Sequence, residues 1–295
     1  MLSVKERQNY IGGSDIPALF GFYKTPYQLW NEKLSDKKSD YDNPAMAWGR
    51  KLEGIIFAEY CRVTGTTKIK RSPMIVHEKY PFLLGHLDAL TSDNRVVEIK
   101  TSGSDKGWGN TDGENIPPSY KLQVQFYMML TGAEYADVAV LISGNDFRIY
   151  TLKKDIELQK KILKVALEFW ECIENKTPPQ FQTYDDILLH YRDYSQVKSK
   201  VVRASDAIVL NILELKELQN NLKKMVERES QLKGIICDYI GFNDTLVSEN
   251  NNILATWKIS NIRQRFNLEK FKIDNPELYN EYLIEGEGYR RLCIK

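Results

Sequence analysis

Residues 85–100 read GHLDALTSDNRVVEIK, and their pattern decides the fold. Apolar residues flanking Thr91-Ser92-Asp93-Asn94 predict two strands, Leu83 to Leu90 and Val96 to Thr101, joined by a turn. On the second strand Glu98 and Lys100 stand two residues apart, so the strand period puts both on one face while Val97 and Ile99 point to the other. With the first strand folded back antiparallel, Asp88 stands beside Glu98. Two carboxylates and one lysine then converge at one end of a hairpin, a place for a divalent metal and an activated water. A Glu-x-Lys pair on a strand is also what a solvated face with a weak ion pair looks like, so its meaning comes from its surroundings.

Upstream, KERQNYIGGSDIPALFGFYKTPYQLWNEKL carries a Gly-Gly turn, then Ser14 and Asp15 as a helix-start signal for a short apolar helix to Leu19. Ser14 either caps that helix or joins its free amides in an anion site. A second helix follows from Pro26 to Lys33, then a charged linker from Ser35 to Asn43. From Pro44 to Thr64, Trp48, Leu52, Ile55, Ile56, Tyr60 and Val63 recur at helical spacing. Glu53 lies on this helix, either exposed like most helical glutamates or reaching the metal.

Lys68 to Val76 reads as a basic strand that Pro73 marks as an edge or a break. Beyond the hairpin, Ser102 to Ile116 is a Gly- and Ser-rich loop holding Lys106 and Trp108, the kind of loop that touches substrate. Pro117-Pro118 opens a helix to Leu130, with Gln123 and Tyr127 one turn apart on one face. Two strands, Ala136 to Ser143 and Phe147 to Leu152, and a helix from Asp155 to about Glu174 complete this part.

Thr177-Pro178-Pro179 marks a boundary, giving a core over 1–176 and a second module over 177–295. The module opens with an amphipathic helix, Ile208 to Ile240, continues with a hairpin over Asp244 to Ser260, and ends in a strand over Tyr289 to Ile294. Between them Arg263, Arg265, Lys270 and Lys272 interleave with Phe266 and Phe271. That cluster suits a phosphate backbone or, equally, a structural hairpin with snorkelling arginines.

Composition narrows the chemistry. With 41 basic against 40 acidic residues the net charge is +1, so any nucleic-acid surface is a local patch. Cys61, Cys172, Cys237 and Cys293 have no paired spacing, and His77, His86 and His190 are dispersed, so neither a zinc site nor a disulfide framework is signalled. Oxygen ligands remain, and these favour magnesium or manganese. No apolar run is long enough for a bilayer and Met1 to Tyr10 has no signal-peptide pattern, so the expected compartment is the cytoplasm.

Glu53, then Asp88, then Glu98-x-Lys100, then Gln123 is the order of the PD-(D/E)xK nuclease core. More narrowly, the chain resembles the phage-type YqaJ and lambda-exonuclease family of alkaline exonucleases over roughly Arg7 to Trp170. GGSDIPALFG, GRKLE, GHLDAL, VEIKTS and YKLQVQFYMMLTG follow that family's motifs in its order. The resemblance implies an α/β fold, a restriction-endonuclease-like central mixed sheet flanked by helices. It implies a magnesium-dependent 5'-to-3' exonuclease acting on double-stranded DNA ends, with one or two ions held by Asp88, Glu98, the Ile99 carbonyl and Glu53.

By the same resemblance Lys100 orients and helps deprotonate water, with a lowered pKa, and Gln123 positions water or substrate. Arg7 and Ser14 fall where the family binds a 5'-phosphate, with Lys106 a further candidate; apart from the resemblance, which does not reach beyond Thr177, Tyr127, Trp108, Arg263 and Arg265 are candidates for further DNA contacts. A ring-shaped homotrimer and a single-strand annealing partner are implied too. His86 replaces a family serine, so contacts to the terminal phosphate differ, and Leu87-Asp88 replaces the usual Pro-Asp. An endonuclease or iron–sulfur-type nuclease on the same core, and a DNA-end-binding protein without catalysis, are the alternative readings.

Overall fold

Prolines open most of the described helices and glycines close several, as fixed φ at a first turn and tolerance of left-handed backbone after a last turn favour. A computed structural model describes residues 8–35, 43–111, 115–192, 201–260, 264–286, 288 and 290–295. Helix α1 (Ile16–Leu19) and α2 (Pro26–Leu34) precede α3 (Pro44–Thr64). In α2, Thr25 and Gln28 form a reciprocal capping box, and α3 begins with the Asn43 side chain accepting from the Met46 amide. Most of the linker expected over Ser35 to Asn43 lies outside the described residues.

Strands β1 (Ile69–Arg71), β2 (Met74–Val76), β3 (Leu84–His86), β4 (Ala89–Thr91) and β5 (Val96–Ser102) come next. After them come α4 (Pro118–Thr131), β6 (Tyr135–Ile142), β7 (Asp146–Lys153), α5 (Ile156–Glu174) and α6 (Tyr184–His190). The main sheet has the order β1-β4-β5-β6-β7. Only β5 and β6 run parallel, and α4 supplies the crossover that a parallel pair requires. Alternation along β5 splits its side chains cleanly. Val97 and Ile99 pack on Ile56 and Tyr60 of α3, while Val96 joins the larger core with Leu122, Val124 and Phe126 of α4. Glu98 and Lys100 therefore face the α4 side, as the strand period predicts.

The predicted strands over Leu83–Leu90 and Lys68–Val76 are each broken in two. Pro73 has no amide to give a ladder, and Ser72 beside it turns to φ 46°. The partner strand breaks at the same level, where the Ser72 amide donates to the Asp88 carbonyl (3.0 Å) and the Leu87 amide to the Pro73 carbonyl (3.1 Å). β2 and β3 consequently form a separate ribbon, while β1 and β4 join the main sheet. Asp88 sits in the break, immediately before β4.

Residues 1–190 form one compact unit and 191–295 another, so the division falls later than the Thr177-Pro178-Pro179 signal suggests. The reason is α6: Asp186, fully buried, accepts from Thr25 Oγ1 (2.6 Å), and Phe181 packs edge-on against Tyr27 (4.9 Å between centroids). These contacts tie the residues after the prolines back to α2. The second unit has α7 (Asp206–Ile240), a hairpin of β8 (Thr245–Val247) and β9 (Ile253–Thr256), then α8 (Leu268–Asp274) and α9 (Pro276–Glu281). The expected closing strand is absent from its described residues, 290–294, which pair with no strand. Phe266 and Phe271 pack on one another at 5.0 Å, and Arg265 is exposed. Among the described residues no helix is long and apolar enough to cross a membrane.

Candidate active site

Antiparallel pairing sets Ala89 opposite Val97, which brings Asp88 alongside Glu98. The Ile99 amide donates to Asp88 Oδ2 at 2.7 Å, so the strand carrying Glu98 also holds the aspartate. Lys100 Nζ lies 2.5 Å from Glu98 Oε1. From α4, Gln123 Nε2 donates to the same oxygen at 2.8 Å and to the Tyr127 hydroxyl at 3.1 Å. Both donors thus satisfy Oε1. Glu98 Oε2, buried as well, is left with no hydrogen-bond partner.

A buried carboxylate oxygen without a partner carries a desolvation penalty that nothing offsets. A hard divalent cation offsets it, since magnesium and manganese prefer oxygen donors. The residues present fit such an ion: Asp88, Glu98 and the Ile99 carbonyl would hold it. Glu53 is differently engaged, its Oε1 2.9 Å from Arg71 Nη2, and among the described residues no three His, Cys, Asp or Glu side chains converge as a ready-made metal cluster. The expected third carboxylate therefore acts on the pair through its charge, not as a ligand already in place.

Crowding of negative charge shifts protonation strongly. Burial, with Glu98 next to it, raises the Asp88 carboxyl to about 8, and Glu53 adds to the rise while Lys100 and the Ile99 amide oppose it. Burial by itself lowers the Lys100 ammonium, yet the Glu98 and Asp88 carboxylates outweigh it and hold the group above its ordinary value. The expected lowering of Lys100 is thus not a property of these side chains alone. Tyr127, buried against Glu98, stays firmly protonated.

Of the other expected residues, Ser14 is exposed and does not cap α1. Asp15 occupies the cap position without a capping bond, and its Oδ2 accepts from the Gly12 amide (2.9 Å) and Lys33 Nζ (2.9 Å). Ser14 instead lines a hollow of about 160 Å³ with Tyr10, Gly12, Gly13, Asp15, Leu84 and His86. Lys33 balances the one carboxylate there, so the hollow does not repel an anion. Lys106 is exposed on its loop.

Trp108, expected to touch DNA, is a core residue only 7% exposed, with its ring between Tyr120 (5.6 Å) and Tyr150 (5.4 Å). Tyr127, expected as a DNA contact, is 4% exposed and orders Gln123. Arg7 and Arg263 lie outside the described residues, and Arg265 belongs to the other unit. Two participants escaped the sequence reading. Tyr120 places its ring 5.0 Å from Lys100 Nζ, and Arg71 holds Glu53 while covering the Phe57 ring at 3.8 Å. Tyr120 carried a signal, one helical turn before Gln123; Arg71 carried none.

The chain is similar to known proteins. Residues 4–134 match the YqaJ-like viral recombinase domain family. The uncharacterized protein YqaJ of Bacillus subtilis (strain 168) is 30% identical over 312 aligned positions, covering 98% of this chain and 92% of that protein. The chain belongs to the YqaJ family. An alkaline exonuclease from Laribacter hongkongensis has a crystal structure that superposes with TM-score 0.50 at 19% identity, over 58% of this chain and 91% of that one. A phage-related exonuclease from Haemophilus somnus 129PT gives TM-score 0.45 at 16% identity, over 57% and 96%. The fold is thus that of the Laribacter hongkongensis structure, a central mixed sheet flanked by helices.

Proposed function

We propose that this YqaJ-family protein is a metal-dependent deoxyribonuclease, a 5'-to-3' exonuclease of phage recombination. It degrades one strand from a duplex end and leaves a 3' single strand for an annealing protein. The observation that carries the reading is the buried, partnerless Glu98 Oε2 beside Asp88 and Lys100. A structural ion pair has no use for a carboxylate oxygen kept free of donors, whereas phosphodiester hydrolysis needs one.

Magnesium, with manganese as substitute, would polarise the scissile phosphate and lower the pKa of a bound water. Within the chain, Asp88 and Glu98, once ionised, would supply the negative charge that holds the cation. Gln123 fixes the Glu98 rotamer, Tyr127 fixes Gln123, and Lys100 stands at Glu98, where its ammonium can orient the attacking water. Glu53, restrained by Arg71, reinforces the field on Asp88. The Ser14 hollow is assigned to the 5'-phosphate; Lys106 and, by the family resemblance alone, Arg7 are further candidates for it.

Assembly into a homo-oligomer, a trimer by the family resemblance, is part of the proposal. On α7, Leu218, Leu222, Met225, Leu232, Ile236 and Tyr239 are exposed and follow spacings of four and three, interrupted by Glu229 between Arg228 and Lys233. Such spacing, with one polar layer, would suit a coiled-coil seam against further copies of the helix.

The test is digestion of linear duplex DNA bearing a 5'-phosphate or a 5'-hydroxyl, in magnesium or EDTA, by wild type and Glu98→Ala. Closed-circular duplex is the control. Metal-dependent loss of the 5'-phosphorylated linear duplex alone, abolished by the substitution, supports the reading. Cutting of circles returns an endonuclease, and binding without cutting returns an end-binding protein.

A further inference from the structure

Tyr23 stands beside the start of α4 in a conformation that its own chemistry disfavours. Its φ is 67°, in the left-handed region, and the Lys24 amide donates across it to the Phe22 carbonyl at 2.8 Å. That closes a three-residue turn of the rare, strained hand. Glycine accommodates such a turn without strain; an aromatic residue does not. The chain is pinned on both sides. Phe22 donates its amide to the Pro17 carbonyl (3.0 Å), and Thr25 is locked by its capping box and by Asp186.

The ring that this backbone presents is 77% exposed. Its hydroxyl meets Ser119 Oγ at 2.5 Å, at the start of α4, and so holds the ring at the end of the helix that carries Gln123. The next residue, Tyr120, has its ring 5.0 Å from Lys100 Nζ. An aromatic face open to solvent is thus fixed one residue from the group that lines Lys100. Strain of this kind persists where surrounding structure over-determines it, and it clusters at functional sites.

We propose that Tyr23 is a stacking platform for a nucleobase of the DNA strand whose phosphate enters the site. The inference rests on the nuclease reading above and adds a residue to it. Every base has an apolar face, so one fixed aromatic ring holds a passing strand without reading its sequence. The pinned turn aims the ring, and Ser119 takes up its hydroxyl.

The experiment pairs substitutions at Tyr23 with duplexes carrying an abasic tetrahydrofuran residue at each of the first three positions from the 5' end. Binding is read by fluorescence anisotropy in EDTA and cleavage by kcat and KM in magnesium. Wild type is expected to bind one of the abasic ends about tenfold more weakly than the natural end. Tyr23→Ala loses about the same factor on the natural end, in Kd and KM with kcat nearly unchanged, and no longer distinguishes the abasic substrates. Tyr23→Phe keeps most of the affinity. Tyr23→Gly removes the ring while relieving the backbone, so it melts no lower than wild type and still binds like Tyr23→Ala; this separates stacking from folding.

Equal sensitivity of wild type and Tyr23→Ala to the abasic residue overturns the inference. So does a Tyr23→Phe variant as weak as Tyr23→Ala, which would make the hydroxyl a structural latch. Wild type that cuts natural duplex yet ignores all the abasic positions overturns the stacking role alone. Wild type that neither binds nor cuts overturns the nuclease reading with it.

Discussion

Gln123 donates to Glu98 Oε1 across the gap between α4 and β5, at 2.8 Å, and by filling that oxygen it leaves Oε2 as the free corner of the carboxylate. Removing the amide frees the Glu98 side chain to turn. Gln123→Ala is expected to lower activity and metal affinity by about 10–100-fold, the usual effect of losing a group that orients a metal ligand. Titrating magnesium against the cleavage rate checks it. An unchanged metal requirement would assign Gln123 to substrate instead.

The Asp88 carboxyl predicts a pH dependence. Its ordinary value is 3.8 and the folded value is about 8, so between those limits the unfolded chain has released a proton that the folded chain retains. A raised folded value means that this contribution to stability is complete below pH 4 and is lost as pH rises to 8, at up to about 1.4 kcal/mol per pH unit. Metal-free protein is therefore expected to melt at a lower temperature at pH 8.5 than at pH 6. Magnesium binds the ionised pair, so its stabilising effect grows over the same interval. Thermal melts in EDTA and in magnesium at both pH values would show the two trends diverging.

Much of this arrangement was legible because it is local. Pro44, Gly65, Pro118 and Gly132 bound their helices, and strand alternation alone sends Glu98 and Lys100 to one face. What was hidden depends on partners distant in sequence. Pro73 announces one break, but the matching break at Leu87-Asp88 follows only from pairing of the two segments. Trp108 looks like a loop residue until Tyr120 and Tyr150, from a helix and a strand, enclose it. Arg71 meets Glu53 across 18 residues, and Asp186 fastens α6 to Thr25 across 161. A Pro-Pro pair marks a turn in the chain; it does not reveal that the next helix returns to the same core.

Trp108 gives a direct test of its reassignment. Truncating a buried indole leaves a cavity, so Trp108→Ala is expected to destabilise the protein by about 3–5 kcal/mol. Denaturant unfolding measures this. A surface DNA contact would behave oppositely, with stability intact and DNA affinity alone reduced.

Gly13 is required by a close approach. A Cβ at this position would fall 2.3 Å from Tyr127 Cε1 and 2.5 Å from its hydroxyl oxygen, with the ring held by Gln123. Gly13→Ala is expected to cost about 1–3 kcal/mol and to disturb Gln123 through Tyr127. Adding Tyr127→Leu, which opens the space, should recover much of the stability but not the activity, because the hydroxyl that orders Gln123 is gone. Full recovery of both would show that Tyr127 fills space and nothing more.

Oligomerisation through α7 is tested at the middle of its exposed stripe. At about 1.5 Å per residue its 35 residues span about 52 Å, long enough for several layers of a coiled coil. Leu222→Glu sets a charge in a seam position that is 60% exposed in the single chain, so the monomer's fold has little to lose. Light scattering is expected to show wild type as an oligomer and Leu222→Glu shifted towards monomer, with unchanged helix content by circular dichroism. Replacing Glu229 by Leu removes the polar layer and is expected to tighten association and loosen its specificity, since a buried polar position selects register at a cost in stability. A wild-type mass equal to one chain at micromolar concentration would leave the stripe to another partner.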